Sequence, residues 1–314
     1  MKILVTGASG FVGRNLCVYL KELGHEVVAV VRCHTRPVDG IHWVVLGSID
    51  ENTVWAPSLL QVDVVIHLAA RAHILHERTE DPLSEFRAAN TYPIEKLVHD
   101  SIKAGVKRFI FVSSIGVNGA RTAGSPFKAS DPVSPHSPYA VSKFEAELIL
   151  ERLAIDSAMD FIILRPPLIY GIDAPGNVRL LSGMIRHKIP IPFGAVSNRR
   201  SFIAIDNLVS VIGLCLTHPK ALNKVILPSD GVDLSTREFI EIIGLINGRT
   251  AFIVSVYPLV LDLFLRLIGK RKVSESLLCD LQVDSQYLFE DLGWVAVFNA
   301  VSYTHLTLPT IYSV

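Results

Sequence analysis

The chain has 314 residues, half of them hydrophobic, enough for one large core or for a domain with a smaller appended lobe. Its 30 Lys and Arg balance 30 Asp and Glu, which argues against a polyanion-binding surface, so nucleic acid is not an expected partner. Cys17, Cys33, Cys215 and Cys279 form no CxxC pair and no metal-ligand spacing with a histidine, predicting free thiols, no metal site and a reducing compartment.

Met1 leads directly into an apolar strand, Lys2 to Thr6. That leaves no room for a leader segment, so a cytoplasmic protein is expected. Gly7, Gly10, Phe11, Val12 and Gly13 follow where the strand should turn into a helix running to about Leu23. Val27 to Val31 reads as a second strand ending at Arg32, Trp43 to Leu46 as a short third, and Val62 to Leu68 as a fourth leading into Leu68, Ala69 and Ala70. One long helical stretch is expected from Pro82 to Ala104, then a strand from Arg108 to Val112 that meets Ser113 and Ser114. Ser137 is placed to cap a helix and Pro138 to occupy its first turn, with Ala140, Phe144, Leu148 and Ile149 as the buried face. A strand from Phe161 to Leu164 then runs into Arg165 and Pro166.

Apolar strands alternating with helices predict an α/β fold with a doubly wound parallel sheet covered on both faces. Residues 1–168 would form this sheet domain, with later segments such as 202–218 returning to it, and residues 169–300 a smaller C-terminal α/β lobe for the substrate. Such sheets bind ligands at the carboxyl ends of their strands. Ala251 to Ile268 is the most apolar segment, but Pro258, Asp262 and Arg266 interrupt it. It therefore reads as a packed helix rather than a membrane span, with peripheral membrane contact at most.

Two features carry chemistry. In a strand–turn–helix frame the first glycine permits a tight bend, the second lets a pyrophosphate approach the backbone, and the third allows close helix–strand packing. The helix N-terminus then offers unpaired N–H groups to the phosphates. Tyr139 and Lys143 lie one helical turn apart and project from one face. A nearby ammonium stabilises a phenolate and brings the phenol into working range. Taken alone, such a pair also describes a solvated helix face.

In their order and spacing, several elements together resemble the extended short-chain dehydrogenases/reductases that act on nucleotide sugars, within the NAD-dependent epimerase/dehydratase group. They are the turn Gly7 to Gly13, His67 to Ala70, Asn90, Ser113-Ser114 before Val117-Asn118-Gly119, Tyr139 with Lys143, Arg165 to Gly171, and Leu292-Gly293-Trp294. The resemblance spans about residues 1 to 295 and implies a Rossmann sheet. It implies that Tyr139 is the general acid/base, that Lys143 holds the nicotinamide ribose and lowers the pKa of Tyr139, and that Ser114 hydrogen-bonds the reacting sugar oxygen. Gly7, Gly10, Phe11, Val12, Gly13, Arg32, Leu68, Ala69, Ala70, Asn90 and Pro166 would bind the cofactor with Tyr139 and Lys143. Arg200 would hold the diphosphate of a UDP-sugar and Asn177 its nucleotide side. Asn118 departs from the Val-Tyr-Gly of the family.

Ile115 and Gly116 stand where dehydratases of the family carry an acidic pair, which leaves 4-keto reduction or 4-epimerisation. Val31 and Arg32 end the second strand without a carboxylate for a ribose 2′-hydroxyl, so NADP is slightly favoured over NAD. The first expectation is reduction of a UDP-4-keto-6-deoxy-N-acetylhexosamine. The alternatives are a UDP-glucose or UDP-N-acetylglucosamine 4-epimerase with retained NAD, and a non-catalytic NAD(P)-binding sensor. By the same resemblance, the helices at 82–104 and 138–153 are candidates for a homodimer. Residues 301–314 have no helical apolar period and are expected to be a non-native tail.

Overall fold

The computed structural model describes residues 1–34, 36–72, 79–267, 269 and 271–298. The expected non-native tail lies outside the described residues.

Seven strands form one wholly parallel sheet: β1 (Lys2–Thr6), β2 (Glu26–Val31), β3 (His42–Val45), β4 (Val64–His67), β5 (Arg108–Val112), β6 (Asp160–Leu164) and, much later in the chain, β9 (Lys224–Ile226). Their spatial order is β3-β2-β1-β4-β5-β6-β9, reversing direction at β1. The carboxyl ends of β1 and β4 therefore border the crevice that opens where strand order reverses. Successive side chains of β1 enter opposite cores: Ile3 and Val5 pack on one side, Leu4 on the other, all fully buried. Burial on both faces is why these strands read as continuous apolar runs rather than alternating ones.

Helix α1 (Phe11–Glu22) covers one face, and α2 (Pro82–Asn90), α3 (Tyr92–Lys103) and α4 (Pro138–Ile155) lie across the other. The stretch expected as one helix is thus two. Thr91 interrupts it, and Pro93 sits in the first turn of α3, where its missing N–H removes no hydrogen bond; a continuous helix would lose one there. Asp81 caps α2 through the Ser84 N–H.

A second, three-stranded sheet joins β7 (Leu168–Tyr170) in parallel to β8 (Arg200–Ala204), which pairs antiparallel with β10 (Asp233–Leu234). The chain returns to the main core through α6 (Ile205–Cys215), whose Leu208, Val211 and Ile212 pack against the face covered by α1. Helices α5 (Asn177–Arg186), α7 (Thr236–Ile246), α8 (Pro258–Leu267) and α9 (Arg271–Leu278) complete the lobe around a core of its own. In α8 only Leu261 and Leu265 are buried, and Leu259, Leu263 and Leu267 face outward. Among the described residues no helix is long and apolar enough to cross a membrane.

Candidate active site

At the end of β1 the chain turns at Gly7, with φ +68°, and a Cβ there would lie 2.7 Å from the Ala69 nitrogen. Gly13 faces the same turn from α1, and a Cβ on it would overlap the Gly7 carbonyl oxygen. The 68–70 loop is held over Gly7 by Thr6. Its Oγ1 accepts the N–H groups of Leu68 and Ala69, each at 3.2 Å, and lies 2.8 Å from His67 Nδ1. With both lone pairs engaged, the Thr6 hydroxyl donates to Nδ1, so His67 carries its proton on Nε2. Burial, then the charge of Lys143, pushes His67 down to about 3, so it stays neutral. Gly10 caps α1 without a side chain, and no acidic residue stands in the first turn. This bare N-terminus beside a glycine turn fits an anionic diphosphate, as a dinucleotide requires.

Across the crevice, β5 delivers Ser113 and Ser114, β6 delivers Pro166, and α4 delivers Tyr139 and Lys143. Ser137 caps α4 as expected, accepting the Ala140 N–H at 3.2 Å. The buried face of α4 differs from the apolar expectation: it is Ala140, Ser142, Lys143, Ala146, Glu147, Leu150 and Ala154, while Leu148 is exposed. Lys143 is 2% exposed, with its ammonium 4.2 Å from the centre of the Phe111 ring. Burial lowers it to about 7 against an opposing pull from Glu147. The Tyr139 ring meets Phe86 edge-on, 5.9 Å between centres, and burial pushes its phenol up to about 12. The expected lowering by the ammonium is not seen; desolvation alone sets the direction.

One cavity of about 460 Å³ joins these parts. Gly7, Gly10, Phe11, Val12, Gly13, Leu68, Ala70, Ser113, Ser114, Tyr139, Lys143, Pro166 and, from β8, Arg200 all line it. The Arg200 guanidinium donates to the Cys279 carbonyl at 2.7 Å, and burial lowers it to about 10. A smaller cavity of about 200 Å³ continues past the glycine turn to Arg32, Ile49, Ala69 and Arg71. Two surface clefts of about 490 and 590 Å³ lie elsewhere, around Lys224 and Tyr287 and around Ser197 and Arg237. Arg32 and Ala69 line only the smaller cavity, and two expected residues, Asn177 and Asn90, line neither. Asn177 is exposed at the start of α5 while nearby Pro175 lines the wall. The Asn90 amide accepts the Arg71 N–H at 2.7 Å and donates to the Arg71 carbonyl and to Ser142 Oγ. It thus ties the loop after β4 to α4.

The model of the NAD-dependent epimerase/dehydratase family matches residues 3–227. A UDP-glucose 4-epimerase of Vibrio cholerae is 40% identical over 295 residues, covering 93% of this chain and 90% of that one. The chain belongs to the NAD-dependent epimerase/dehydratase family of enzymes. Solved structures with the same fold include a UDP-glucuronic acid 4-epimerase of Bacillus cereus in complex with NAD (TM-score 0.76, 20% identity, 96% of this chain and 95% of that one). Another is a UDP-glucose 4-epimerase of Thermotoga maritima with UDP-glucose (TM-score 0.74, 22% identity, 98% and 100%).

For this epimerase/dehydratase family member, sequence reading assigned no individual role to several residues of the site. Thr6 and His67 lie inside an apolar strand pattern, and only the sheet shows that they pair across 61 positions. Ser113 Oγ is buried, lines the cavity and has no hydrogen-bond partner among the described residues. The buried carboxylate of Glu147, one turn beyond Lys143, looks like a surface charge until the helix is packed.

Proposed function

We propose that the chain transfers hydride between NAD(P) and C4 of a UDP-linked sugar, and that its reaction is reduction of a UDP-4-keto-6-deoxy-N-acetylhexosamine. The observation that carries this reading is the single cavity joining the glycine turn, Ser114, Tyr139, Lys143 and Arg200. The glycine turn and the α1 N-terminus would hold the cofactor diphosphate, and Lys143 the nicotinamide ribose. When bound, the nicotinamide supplies the hydride that adds to C4.

Tyr139, its phenol held near 12 by burial, is protonated throughout the physiological range and gives that proton to the C4 oxygen. Ser114 Oγ accepts the Gly116 N–H at 3.1 Å, which leaves its own hydrogen free to orient the same oxygen. Arg200 has one N–H group on Cys279; the rest of its planar fork suits the UDP diphosphate. Ile115 and Gly116 offer no further acid or base, consistent with reduction rather than dehydration. Arg32, exposed beside the smaller cavity, favours a 2′-phosphate and hence NADP slightly.

A second reading, 4-epimerisation with retained NAD, is favoured by the similarity to the Vibrio cholerae epimerase. The separating experiment incubates the protein with a UDP-4-keto-6-deoxy-N-acetylhexosamine and NADPH or NADH, following absorbance and the sugar product. Stoichiometric oxidation of added cofactor is the expected result. Interconversion of UDP-glucose or UDP-N-acetylglucosamine with its 4-epimer, with no cofactor consumed, assigns the second reading instead. Cofactor binding with neither product leaves a sensor.

A further inference from the structure

Three segments carry the groups around the cavity: the turn after β5 with Ser114, helix α4 with Tyr139 and Lys143, and the end of β6 with Pro166. One buried guanidinium touches all three. Arg165 stands between β6 and Pro166 and is 4% exposed. Its Nε donates to both Glu147 oxygens at 3.0 and 3.2 Å, and its Nη2 to Glu147 Oε2 at 2.6 Å. Its Nη1 donates to Asn118 Oδ1 at 3.0 Å. Asn118 in turn donates from Nδ2 to the Lys128 carbonyl at 3.1 Å. Glu147 and Asn118 are 1% and 2% exposed. The departure from the family's Val-Tyr-Gly at Asn118 thus provides a second partner residue for the guanidinium.

We infer that Asn118, Arg165 and Glu147 form the positioning unit of this site, clamping the Ser114 turn and the Pro166 segment onto α4 and presenting a carboxylate one helical turn from Lys143. The inference rests on the proposed role of Lys143 in holding the cofactor. A buried pair of this kind adds little net stability, whereas a misplacement of about 1 Å in a reacting group costs about 10²-fold in rate.

The charge environment of Lys143 gives the clamp a signature beyond folding. Glu147 on its own helix raises its proton affinity against burial, neutral His67 faces it from β4, the Phe111 ring from β5, and Tyr139 precedes it by one turn. Arg165 from β6 and the half-buried Glu151 act on Glu147 itself. Neutralising Glu147 therefore moves the protonation of Lys143 to lower pH.

The test measures the affinity of NADH and NADPH by calorimetry between pH 5.5 and 9 for the wild type, Glu147→Gln, Asn118→Leu and the double variant E147Q/R165Q, which leaves no unpaired buried charge. In E147Q, affinity at pH 7 is expected to fall about fivefold and to recover towards pH 5.5, shifting the binding midpoint by about one pH unit, a factor of ten in proton affinity. The double variant should show the same shift if the single one does not fold. Asn118→Leu should lower kcat by about 10²-fold with the cofactor affinity and its pH midpoint unchanged. Variants that lose only thermal stability, with wild-type pH profiles and kcat, overturn the inference. Lys143→Met tests the underlying role separately: wild-type cofactor affinity in that variant removes the role of Lys143 without touching the clamp.

Discussion

Tyr139 and Lys143 are displaced from their ordinary ionisation in opposite directions by one cause, burial, which disfavours the charged form of each. For Tyr139 this suits the donor of a proton: Tyr139→Phe should lower turnover by about 10²- to 10⁴-fold while NADPH affinity, measured by fluorescence titration, stays as in the wild type. For Lys143 the displacement is also a statement about stability. The native lysine loses its proton near pH 7 and the unfolded one near 10.5, so between these values the unfolded state holds more protons. Stability rises with pH across that window, and the burden of the buried charge is fully present below about pH 7. Lys143→Met is therefore expected to raise the melting temperature at pH 6 and to raise it less at pH 9. Tyr139 acts in the reverse sense. The native phenol keeps its proton to about 12 against 10 when unfolded, so its contribution falls as pH rises through that range.

At the scale of elements, α4 and the junction of β7, β8 and α6 show how little of a site is visible as periodicity. The buried stripe of α4 carries Lys143 and Glu147, residue types that sequence patterns assign to the surface. The Glu147 carboxylate is matched there by Arg165, which follows β6. Asp230 plays a comparable part in the lobe. Its carboxylate, 5% exposed, accepts Tyr170 Oη at 2.8 Å, the Ala204 N–H at 3.0 Å and Asn207 Nδ2 at 2.6 Å, joining β7, β8 and α6. Each buried donor left without a partner costs about 1–3 kcal/mol. Asp230→Ala should accordingly lower the urea midpoint sharply, and NADH should still bind below that midpoint because the glycine turn lies on the other sheet.

For the whole molecule the decisive arrangement is that the parallel sheet and the lobe share one cavity. Gly7 and Tyr139 line it from one side and Arg200 from the other. A ligand that binds only the folded state stabilises by about 2.7 kcal/mol at 100 times its Kd. UDP and NADPH should therefore each raise the melting temperature, with UDP acting through the lobe. Arg200→Gln is expected to abolish the shift with UDP and to keep the shift with NADPH; loss of both would place Arg200 in the fold rather than at the substrate.

The local sequence by itself determined the alternation of strands and helices, the glycine turn, the Ser137 cap and the one-turn spacing of Tyr139 and Lys143, because each depends on neighbours within a few residues. The break between α2 and α3 is missed, because the stretch from Pro82 to Ala104 is expected as one helix although Pro93 stands inside it. Only the tertiary structure decided what depends on distant partners. It returned β9 to the sheet next to β6, paired Thr6 with His67, left Asn177 exposed and drew Asn90 away to hold the 71 loop. It also set Asn118 and Glu147 on Arg165 and turned Tyr139 and Lys143 away from their ordinary pKa values. Charge and burial are properties of the packed surroundings, and no local pattern of residues records which distant side chain will arrive to satisfy a buried group.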